Sequence, residues 1–231
     1  MPGMPYTLYI GEKRYSSWSL RAWLALRGAG IPFEEVLLSL APDPGKQARF
    51  ARLPAGRVPV LEDGEVRVWD SFAIGEYLAE RHPGLWPEDR AARAWARSIC
   101  AEMHSGFQGL RNGMCMDILA RRPQRKRTPV IEADIDRVVK LWNETRARFG
   151  QGGPLLFGRF TLADAFFAPV AYRFRTYGVS PRGAAGEYAQ AVLALPALAE
   201  WEAGARKDGV LADHDLDLLY PEDGPPPRGA A

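Results

Sequence analysis

Cysteine, histidine and long apolar runs are all scarce in this chain of 231 residues. The two cysteines, Cys100 and Cys115, form no CxxC pair and no metal-ligand spacing, so we interpret them as reduced thiols of a cytoplasmic protein. The histidines lie far apart, and no HxxxH or HExxH pattern joins them, so the sequence predicts no bound metal. No run approaches the ~18 apolar residues of a membrane span, and the first residues lack the layout of a secretion signal.

An excess of charge of one sign is also missing. The net charge of +2 is too small to indicate binding to nucleic acid or to an anionic membrane. The concentrated basic stretch RRPQRKR at 121–127 has no interleaved aromatic residue, so it fits a solvated loop better than a nucleic-acid surface. What remains is an ordinary globular composition, 47% hydrophobic and 25% charged, which suffices for a sizeable core.

Strand and helix patterns alternate over the first eighty residues. Short apolar runs at 6–10 and 33–40 favour two strands, and the apolar spacing between them favours a helix over about 17–29. A strand–helix–strand start requires a parallel pair of strands joined by a right-handed crossover. The chain is therefore predicted to begin as an α/β domain.

A hairpin and a second helix complete this region. Asp63-Gly64 stands between two β-prone runs, which is a strong local signal for an antiparallel turn. Asp70 or Ser71 can then cap a helix that ends at a proline. Because the hairpin is antiparallel and the opening pair is parallel, we predict a mixed four-stranded sheet in a thioredoxin-like fold.

Helical patterns replace the β signal after a joint rich in proline and glycine. We predict helices over 88–120, 130–149, 161–176, 187–194 and 196–207. An α/β part followed by an all-helical part is typical of two domains. We place them at 1–83 and 88–214, followed by an extended or disordered tail at 215–231.

Val58-Pro59 is the first feature with a chemical use. A proline in a β-prone run cannot donate to the ladder, and an edge-strand trans proline without function is one explanation. The other is that Pro59 opens the strand after a cis bond, which leaves the backbone N–H and C=O of Val58 free to pair with an extended peptide. The spacing leaves both explanations open.

Asp70-Ser71 at the start of the predicted helix is the second such feature. The amino end of a helix has unsatisfied N–H groups and a partial positive charge, which suit a carboxylate. Asp70 adds a counter-charge for an ammonium, so a ligand with both an α-amino and an α-carboxylate group would fit the pair. An ordinary N-cap is the alternative.

Three serines, Ser16, Ser17 and Ser19, crowd the start of the first helix, where one cap would suffice. This helix end is expected at the carboxyl edge of the first strand, where open α/β sheets bind ligands. A hydroxyl there can donate to a thiolate, and such a bond is worth roughly 1.5–3 kcal/mol. A serine hydrolase is the competing use, but the chain has no G-x-S-x-G motif.

Taken in order, these features resemble the glutathione transferase superfamily, and the resemblance covers nearly the whole chain. The first helix start, SSWSLRAWLAL, is similar to the Ser-Ser-Cys…Arg start of the serine-type zeta class, and Arg21 matches the first arginine of that pattern. The later segments VPVL and DSFAIGEYL are similar to the family's glutathione-binding segment. FGRFTLADAFFAPV resembles the N-capping box of the helical domain, with Thr161 and Asp164 as folding residues. The nearest match is to bacterial-type, zeta-like enzymes.

The resemblance implies that glutathione lies along the first domain as co-substrate. Its cysteinyl backbone would pair with Val58 across a cis Pro59, beside Arg57. Ser71 would hold its γ-glutamyl end, with Asp70 near the ammonium.

The same resemblance implies that the glutathione sulfur meets one of the serines. The zeta pattern favours Ser16, and the spacing from the arginine in other classes favours Ser17. We rank Ser16 first as the catalytic donor and Ser17 second, and we assign Ser19 to capping or structure.

An electrophile pocket is expected between the domains, where the long helix would face the sulfur. Its predicted lining is Trp18, Met103, His104, Phe107 and Arg111, with Met114 at the same helical spacing. Plain interdomain core is the alternative for each of them. The polar His104 and Arg111 are the better candidates for contact with a ligand.

The function implied is that of a glutathione transferase acting on an electrophilic small molecule. Trp18 stands where zeta enzymes have their cysteine, so their specific reaction, maleylacetoacetate isomerisation, is the second hypothesis. A non-catalytic binding or stress-response module of the same fold is the third. The resemblance also suggests a cytoplasmic homodimer that binds neither nucleic acid nor membranes.

Overall fold

The computed structural model describes residues 6–41, 44–123 and 126–208. Its α/β part contains β1 (Tyr6–Ile10), α1 (Ser17–Gly28), β2 (Phe33–Leu37), α2 (Lys46–Phe50), β3 (Val60–Asp63), β4 (Val66–Val68) and α3 (Ser71–Arg81). After a 3-10 turn at Pro83–Leu85 follow α4 (Arg90–Ser105), α5 (Gln108–Gly113), α6 (Pro129–Phe149), α7 (Leu162–Tyr177), α8 (Ala184–Leu193) and α9 (Pro196–Ala205). The predicted fold class, an α/β domain with a helical region behind it, is confirmed. The predicted tail at 215–231 lies outside the described residues.

The four strands form one mixed sheet in the order β2-β1-β3-β4. Strand β1 is parallel to β2 and antiparallel to β3, which is antiparallel to β4. Leu8 and Ile10 of β1 are fully buried, and Leu8 lies opposite Leu61 of β3. This is the topology predicted from the strand–helix–strand start and the Asp63-Gly64 hairpin.

Helix α1 is buried between the sheet and the helical region. All residues from Ser19 to Leu26 are buried, and Trp23 packs edge-on against Trp201 of α9 with ring centroids 5.0 Å apart. At its end, a Cβ on Gly28 would lie only 2.4 Å from Phe160 Cζ, so glycine alone allows this approach. Helix α1 therefore belongs to one core that joins the sheet to the helices.

The helix predicted over 88–120 is wrong in extent. Helix α4 ends at Ser105, Gly106 is its C-cap, and Phe107 has a φ of 60°. That left-handed conformation interrupts a helix, and it is uncommon for a bulky residue. The Phe107 side chain is buried in the core, which holds the backbone in this conformation. The spacing of the apolar residues continues through the break, although Gly106, the C-cap, is of a residue type common at helix ends.

Helix α7 begins at the predicted capping box. The Thr161 backbone N–H donates to Asp164 Oδ2 at 2.8 Å, and the Leu156 N–H donates to Oδ1 of the same carboxylate at 3.2 Å. Burial raises the pKa of Asp164 to about 6, against the opposing effect of these hydrogen bonds. Both box residues are fully buried, as folding residues are expected to be.

Candidate functional site

The three serines at the start of α1 have different hydrogen-bond partners. Ser16 is the N-cap: its Oγ accepts from the Ser19 backbone N–H at 3.3 Å. The Ser16 hydroxyl donates to Ser19 Oγ at 2.7 Å, and the Gly11 N–H at the end of β1 donates to Ser19 Oγ at 3.0 Å. Ser16 therefore caps the helix, a role that was considered for Ser19. Ser19 is fully buried and connects the start of α1 to the end of the first strand.

Ser17 faces the helical region instead. Its Oγ accepts from Nη2 of Arg173 on α7 at 3.3 Å, and the residue is only half-buried. Ser16 is buried, with 8% of its surface exposed. The two candidate donors therefore lie in different electrostatic surroundings, one beside a serine hydroxyl and the other beside a guanidinium.

A cavity of about 240 Å³ lies next to the start of α1. Six residues that the sequence nominated line it, namely Trp18, Arg57, Val58, Pro59, Asp70 and Ser71, together with Ala55 and Trp69. Ser16 and Ser17 are not among its lining residues, although they directly precede Trp18. The cavity thus gathers five of the seven predicted glutathione-binding residues, with Trp18 from the predicted electrophile pocket beside them.

The backbone at Val58 has the geometry that the sequence allowed as one of two explanations. The Val58-Pro59 bond is cis, and the strand ladder begins only at Val60. Among the described residues no hydrogen bond uses the N–H or C=O of Val58. Both groups are therefore available to a ligand at the cavity wall.

Asp70 and Ser71 form the opposite wall of the cavity. Asp70 is the N-cap of α3, and its Oδ1 accepts from the backbone N–H groups of Phe72 and Ala73 at 2.9 and 3.3 Å. The Ser71 side chain is 1% exposed, yet in the described part of the chain its Oγ has no hydrogen-bond partner. A buried hydroxyl without a partner is costly, so the Ser71 hydroxyl is a candidate for hydrogen bonding to a polar group that enters the cavity.

His104 reaches Asp70 from the helical region. Its Nε2 lies 2.8 Å from Asp70 Oδ2. Burial works to raise the pKa of Asp70, but the hydrogen bond and charge of His104 and the backbone N–H groups of Ala73 and Phe72 outweigh it, so that pKa lies below its usual value.

Trp18 lies between two guanidinium groups. The Cζ atoms of Arg21 and Arg111 are each 4.5 Å from the centroid of its ring, a distance typical of cation–π contacts. Arg21 is 2% exposed and its Nε and Nη1 have no partner in the described ranges, which also holds for Nε of Arg111. These donors, like the Ser71 hydroxyl, are unused.

Arg173 joins the same cluster, and the sequence reasoning missed it. Burial lowers the pKa of Arg111 to about 10, with a further contribution from the charge of Arg173. Burial and the charges of Arg111 and Arg173 likewise lower the pKa of Arg21. One signal could have revealed Arg173. It is a charged residue in LADAFFAPVAYRFRTY, a helix in which most of the other residues are apolar.

The remaining residues predicted for the electrophile pocket lie in the core. Met103 is fully buried, Met114 is 1% exposed and Phe107 is 7% exposed. Arg111 is held beside them, because its Nη2 donates to the backbone carbonyl of His104 at 2.8 Å. Contact of these apolar residues with a ligand stays a prediction.

Two family models match the chain. The glutathione S-transferase N-terminal domain matches residues 15–81, and the glutathione S-transferase C-terminal domain matches residues 128–204, which together make up more than half of the chain. The chain therefore belongs to the glutathione transferase family.

Its relatives include zeta-class proteins. Maleylacetoacetate isomerase of Rattus norvegicus is 31% identical over 202 residues, 82% of this chain and 88% of the rat protein. A zeta-class glutathione S-transferase of Euphorbia esula is 30% identical over 67% of this chain and 70% of that protein. The solved structure of a glutathione transferase homolog from Burkholderia, with bound glutathione, has a TM-score of 0.67 at 23% identity and covers 89% of this chain and 100% of that one.

The described residues contain neither a membrane-spanning helix nor a metal-binding cluster. Over 6–41, 44–123 and 126–208, no helix is both long and apolar enough to cross a bilayer. Across the same ranges no group of three or more His, Cys, Asp or Glu side chains is arranged to hold a metal ion.

Proposed function

We propose that this chain is a glutathione transferase that binds glutathione in the cavity between Val58 and Ser71 and directs the sulfur to the start of α1. The observation that carries the proposal is the buried, unpartnered hydroxyl of Ser71 at a helix N-terminus. It faces the same cavity as the unused backbone groups of Val58. A peptide with a free α-carboxylate at one end satisfies both features at once.

Each end of the tripeptide has a matching group. The γ-glutamyl carboxylate would accept from the Ser71 hydroxyl, and its ammonium would lie beside the carboxylate of Asp70. The cysteinyl backbone would pair with Val58 in the manner of an added strand. Arg57, an exposed cation on the cavity wall, would hold the glycyl carboxylate.

Ser16 is the proposed donor to the sulfur, and its surroundings support the role. A serine oxygen accepts two hydrogen bonds and donates one. The Ser19 N–H donates to Ser16 Oγ, and the Ser16 hydroxyl donates to Ser19 Oγ, which also accepts from the Gly11 N–H. Rotation of the Ser16 hydroxyl about its C–O bond would turn this proton from Ser19 to the sulfur, and the Ser19 hydroxyl could then donate to Ser16 in return.

The energy required for this activation is modest. A thiol with a pKa near 8.5 is mostly ionised at pH 7 once its thiolate is favoured by roughly 2–3 kcal/mol. One hydrogen bond to a charged group supplies roughly 1.5–3 kcal/mol, and the helix terminus up to about 1 kcal/mol more. The thiol proton leaves to solvent when the thiolate forms, so no general base is needed. The thiolate then forms a C–S bond: an aryl chloride releases chloride, and an isothiocyanate takes a proton from solvent at the nitrogen that receives the C=N electron pair.

Retention on immobilised glutathione followed by an electrophile panel tests this function. We expect elution by free glutathione and conjugation of at least one neutral electrophile, such as an aryl chloride or an isothiocyanate. If the protein shows no retention and no turnover, the transferase is contradicted and the non-catalytic module becomes the better explanation. Light scattering on the same sample tests the proposed homodimer, which a monomer mass would contradict.

The arginine cluster favours glutathione-dependent isomerisation of maleylacetoacetate as a second candidate. That substrate is a carboxylate anion, and the guanidiniums of Arg21 and Arg111 lie on the two sides of Trp18. Nε and Nη1 of Arg21 and Nε of Arg111 have no hydrogen-bond partner in the described ranges. A desolvated cluster of like charge is stabilised when an anion enters it. The indole of Trp18 contributes a flat face against which a planar enol could pack.

Replacing Arg111 by glutamine separates the two candidates. If the isomerase is correct, Arg111→Gln should lower kcat/KM for maleylacetone about tenfold, because one charge-assisted contact is lost, and change conjugation of a neutral aryl chloride by less than about twofold. Glutamine keeps a donor toward the His104 carbonyl. Arg97→Gln, on the exposed side of α4, is the matched control. Equal effects on both substrates would contradict an anion-binding role.

A further inference from the structure

The loop between β1 and α1, which leads to Ser16, is held by side chains from the far end of the helical region. The Lys13 backbone N–H donates to Oδ2 of Asp208 at 2.8 Å. The Lys13 C=O accepts from Nε1 of Trp201 on α9 at 2.8 Å. Both backbone groups of Lys13 are therefore fixed by residues that follow it by 195 and 188 positions in the sequence.

Lys13 lies within a closed turn that ends at Ser16. The Glu12 C=O accepts from the backbone N–H groups of Tyr15 and Ser16 at 3.1 and 2.9 Å. These two bonds join the first and last residues of the turn, so the backbone of residues 12–16 moves as one unit. A displacement of Lys13 therefore displaces the Ser16 hydroxyl.

The side chain of Lys13 packs on the same end of α9. Its Nζ forms an ion pair with Glu35 of β2 and lies 5.7 Å from the centroid of the Trp201 ring. A Cβ on Gly204 would lie 2.6 Å from Lys13 Cδ, so the helix approaches the loop closely. The Asp208 N–H donates to the Gly204 C=O at 3.0 Å. The turn that follows α9 thus fixes Asp208 beside the loop.

We propose that Asp208 is a positioning residue for the reaction, because its carboxylate holds the turn at Lys13 where the Ser16 hydroxyl can reach the glutathione sulfur. The inference rests on the proposed function, in which Ser16 is the donor. Catalytic groups need accurate placement, and an error of about 1 Å can cost up to about 100-fold in rate. The end of the helical region would then control a hydroxyl of the α/β part.

Replacement of Asp208 by alanine removes the acceptor of the Lys13 N–H and should lower kcat for conjugation at pH 7 about tenfold. The KM for glutathione should change by less than about twofold, because the groups proposed to bind the tripeptide, at Val58 and Ser71, lie on other elements. Asp208 is only half-buried, so water can reach the freed N–H and the variant should fold with a nearly unchanged melting temperature.

Two further replacements separate the hydrogen bond from other effects. Asp208→Asn keeps a side-chain oxygen that can accept from the Lys13 N–H, so it should retain turnover within about threefold of wild type. Glu200→Ala removes a carboxylate from an exposed position of α9, where it pairs with Arg27 at the far end of α1. This matched control should behave like the wild type.

A double-mutant cycle shows whether Asp208 acts through Ser16. In the Ser16→Gly background, Asp208→Ala should lower kcat by less than about twofold, because the hydroxyl that it positions is already gone. The ultraviolet absorbance of the bound thiolate gives an independent measurement. At pH 7 the ionised fraction of bound glutathione should be smaller in Asp208→Ala than in the wild type.

The same measurements can overturn the inference. Equal losses of kcat from Asp208→Ala in the two backgrounds would show that Asp208 does not act through Ser16. Wild-type turnover in Asp208→Ala would show that the turn does not need this bond. Either result would leave the proposed function standing. A wild-type protein that binds no glutathione and conjugates no electrophile would overturn the proposed function and this inference with it.

Discussion

Replacement of Ser16 by glycine is expected to lower the rate of glutathione conjugation about 100-fold at pH 7. The lost hydroxyl accounts for roughly 1.5–3 kcal/mol of thiolate stabilisation, which corresponds to a factor of about ten to 150. Glycine is chosen over alanine because it is tolerated as an N-cap at a cost of only a few tenths of a kcal/mol. The melting temperature should therefore stay close to that of the wild type.

The pH–rate profile distinguishes this role from a general disturbance of the site. In Ser16→Gly the pKa of the bound thiol should rise toward about 8.5, so the rate deficit should shrink as the pH is raised. Ser17→Ala is the matched control at the next position and should keep turnover within about threefold. A large loss in Ser17→Ala with normal turnover in Ser16→Gly would transfer the donor role to Ser17, whose neighbour is Arg173.

Replacement of Ser71 by alanine is expected to raise KM for glutathione about 30-fold with little change in kcat. The Ser71 hydroxyl would bind the γ-glutamyl carboxylate equally in the ground state and the transition state, so its loss affects binding alone. A hydrogen bond to a charged group of roughly 2 kcal/mol corresponds to that factor.

The stability of Ser71→Ala distinguishes a ligand-binding role of the hydroxyl from a structural one. Because the Ser71 hydroxyl is buried without a partner in the described structure, its removal should leave the free energy of unfolding unchanged or slightly increased. Ser98→Ala, at an exposed position of α4, is the control for a neutral serine replacement. Destabilisation of Ser71→Ala by more than about 1 kcal/mol would show that the hydroxyl has a structural partner and that the KM effect is indirect.

The sequence was sufficient for the parts of this protein that depend on local signals. The period of the apolar residues, the Asp63-Gly64 turn and the serine caps all act within a few residues, and the α/β part follows from them. The helices beyond residue 128 begin and end close to their predicted limits for the same reason. Gly106 is a local signal for the end of α4 that the predicted helix ran through, whereas the left-handed conformation of Phe107 has no such signal in the sequence.

In the candidate site, too, short sequence patterns predicted some residues, and the fold alone brings the others together. Val58, Pro59, Asp70 and Ser71 could be nominated because each stands in a short pattern with a chemical meaning. Which side chains contact the site from the helical region could not be predicted in the same way. His104 was nominated for the electrophile pocket but not as the partner of Asp70, and Arg173, which contacts Ser17, was missed, because distance in sequence says nothing of distance in space. Trp69 was missed for another reason: it ends a β-prone run and looks like an ordinary strand residue.

Helix α1 belongs to one core with the helices behind it, and this has a consequence for how the protein can diversify. With Trp23 against Trp201 and Gly28 against the ring of Phe160, the two halves fit each other as specific surfaces. A chimera that joins this amino-terminal half to the carboxy-terminal half of a distant homologue would have to recreate both contacts. New substrate preferences are therefore reached more readily by point changes around Trp18 than by exchange of whole halves.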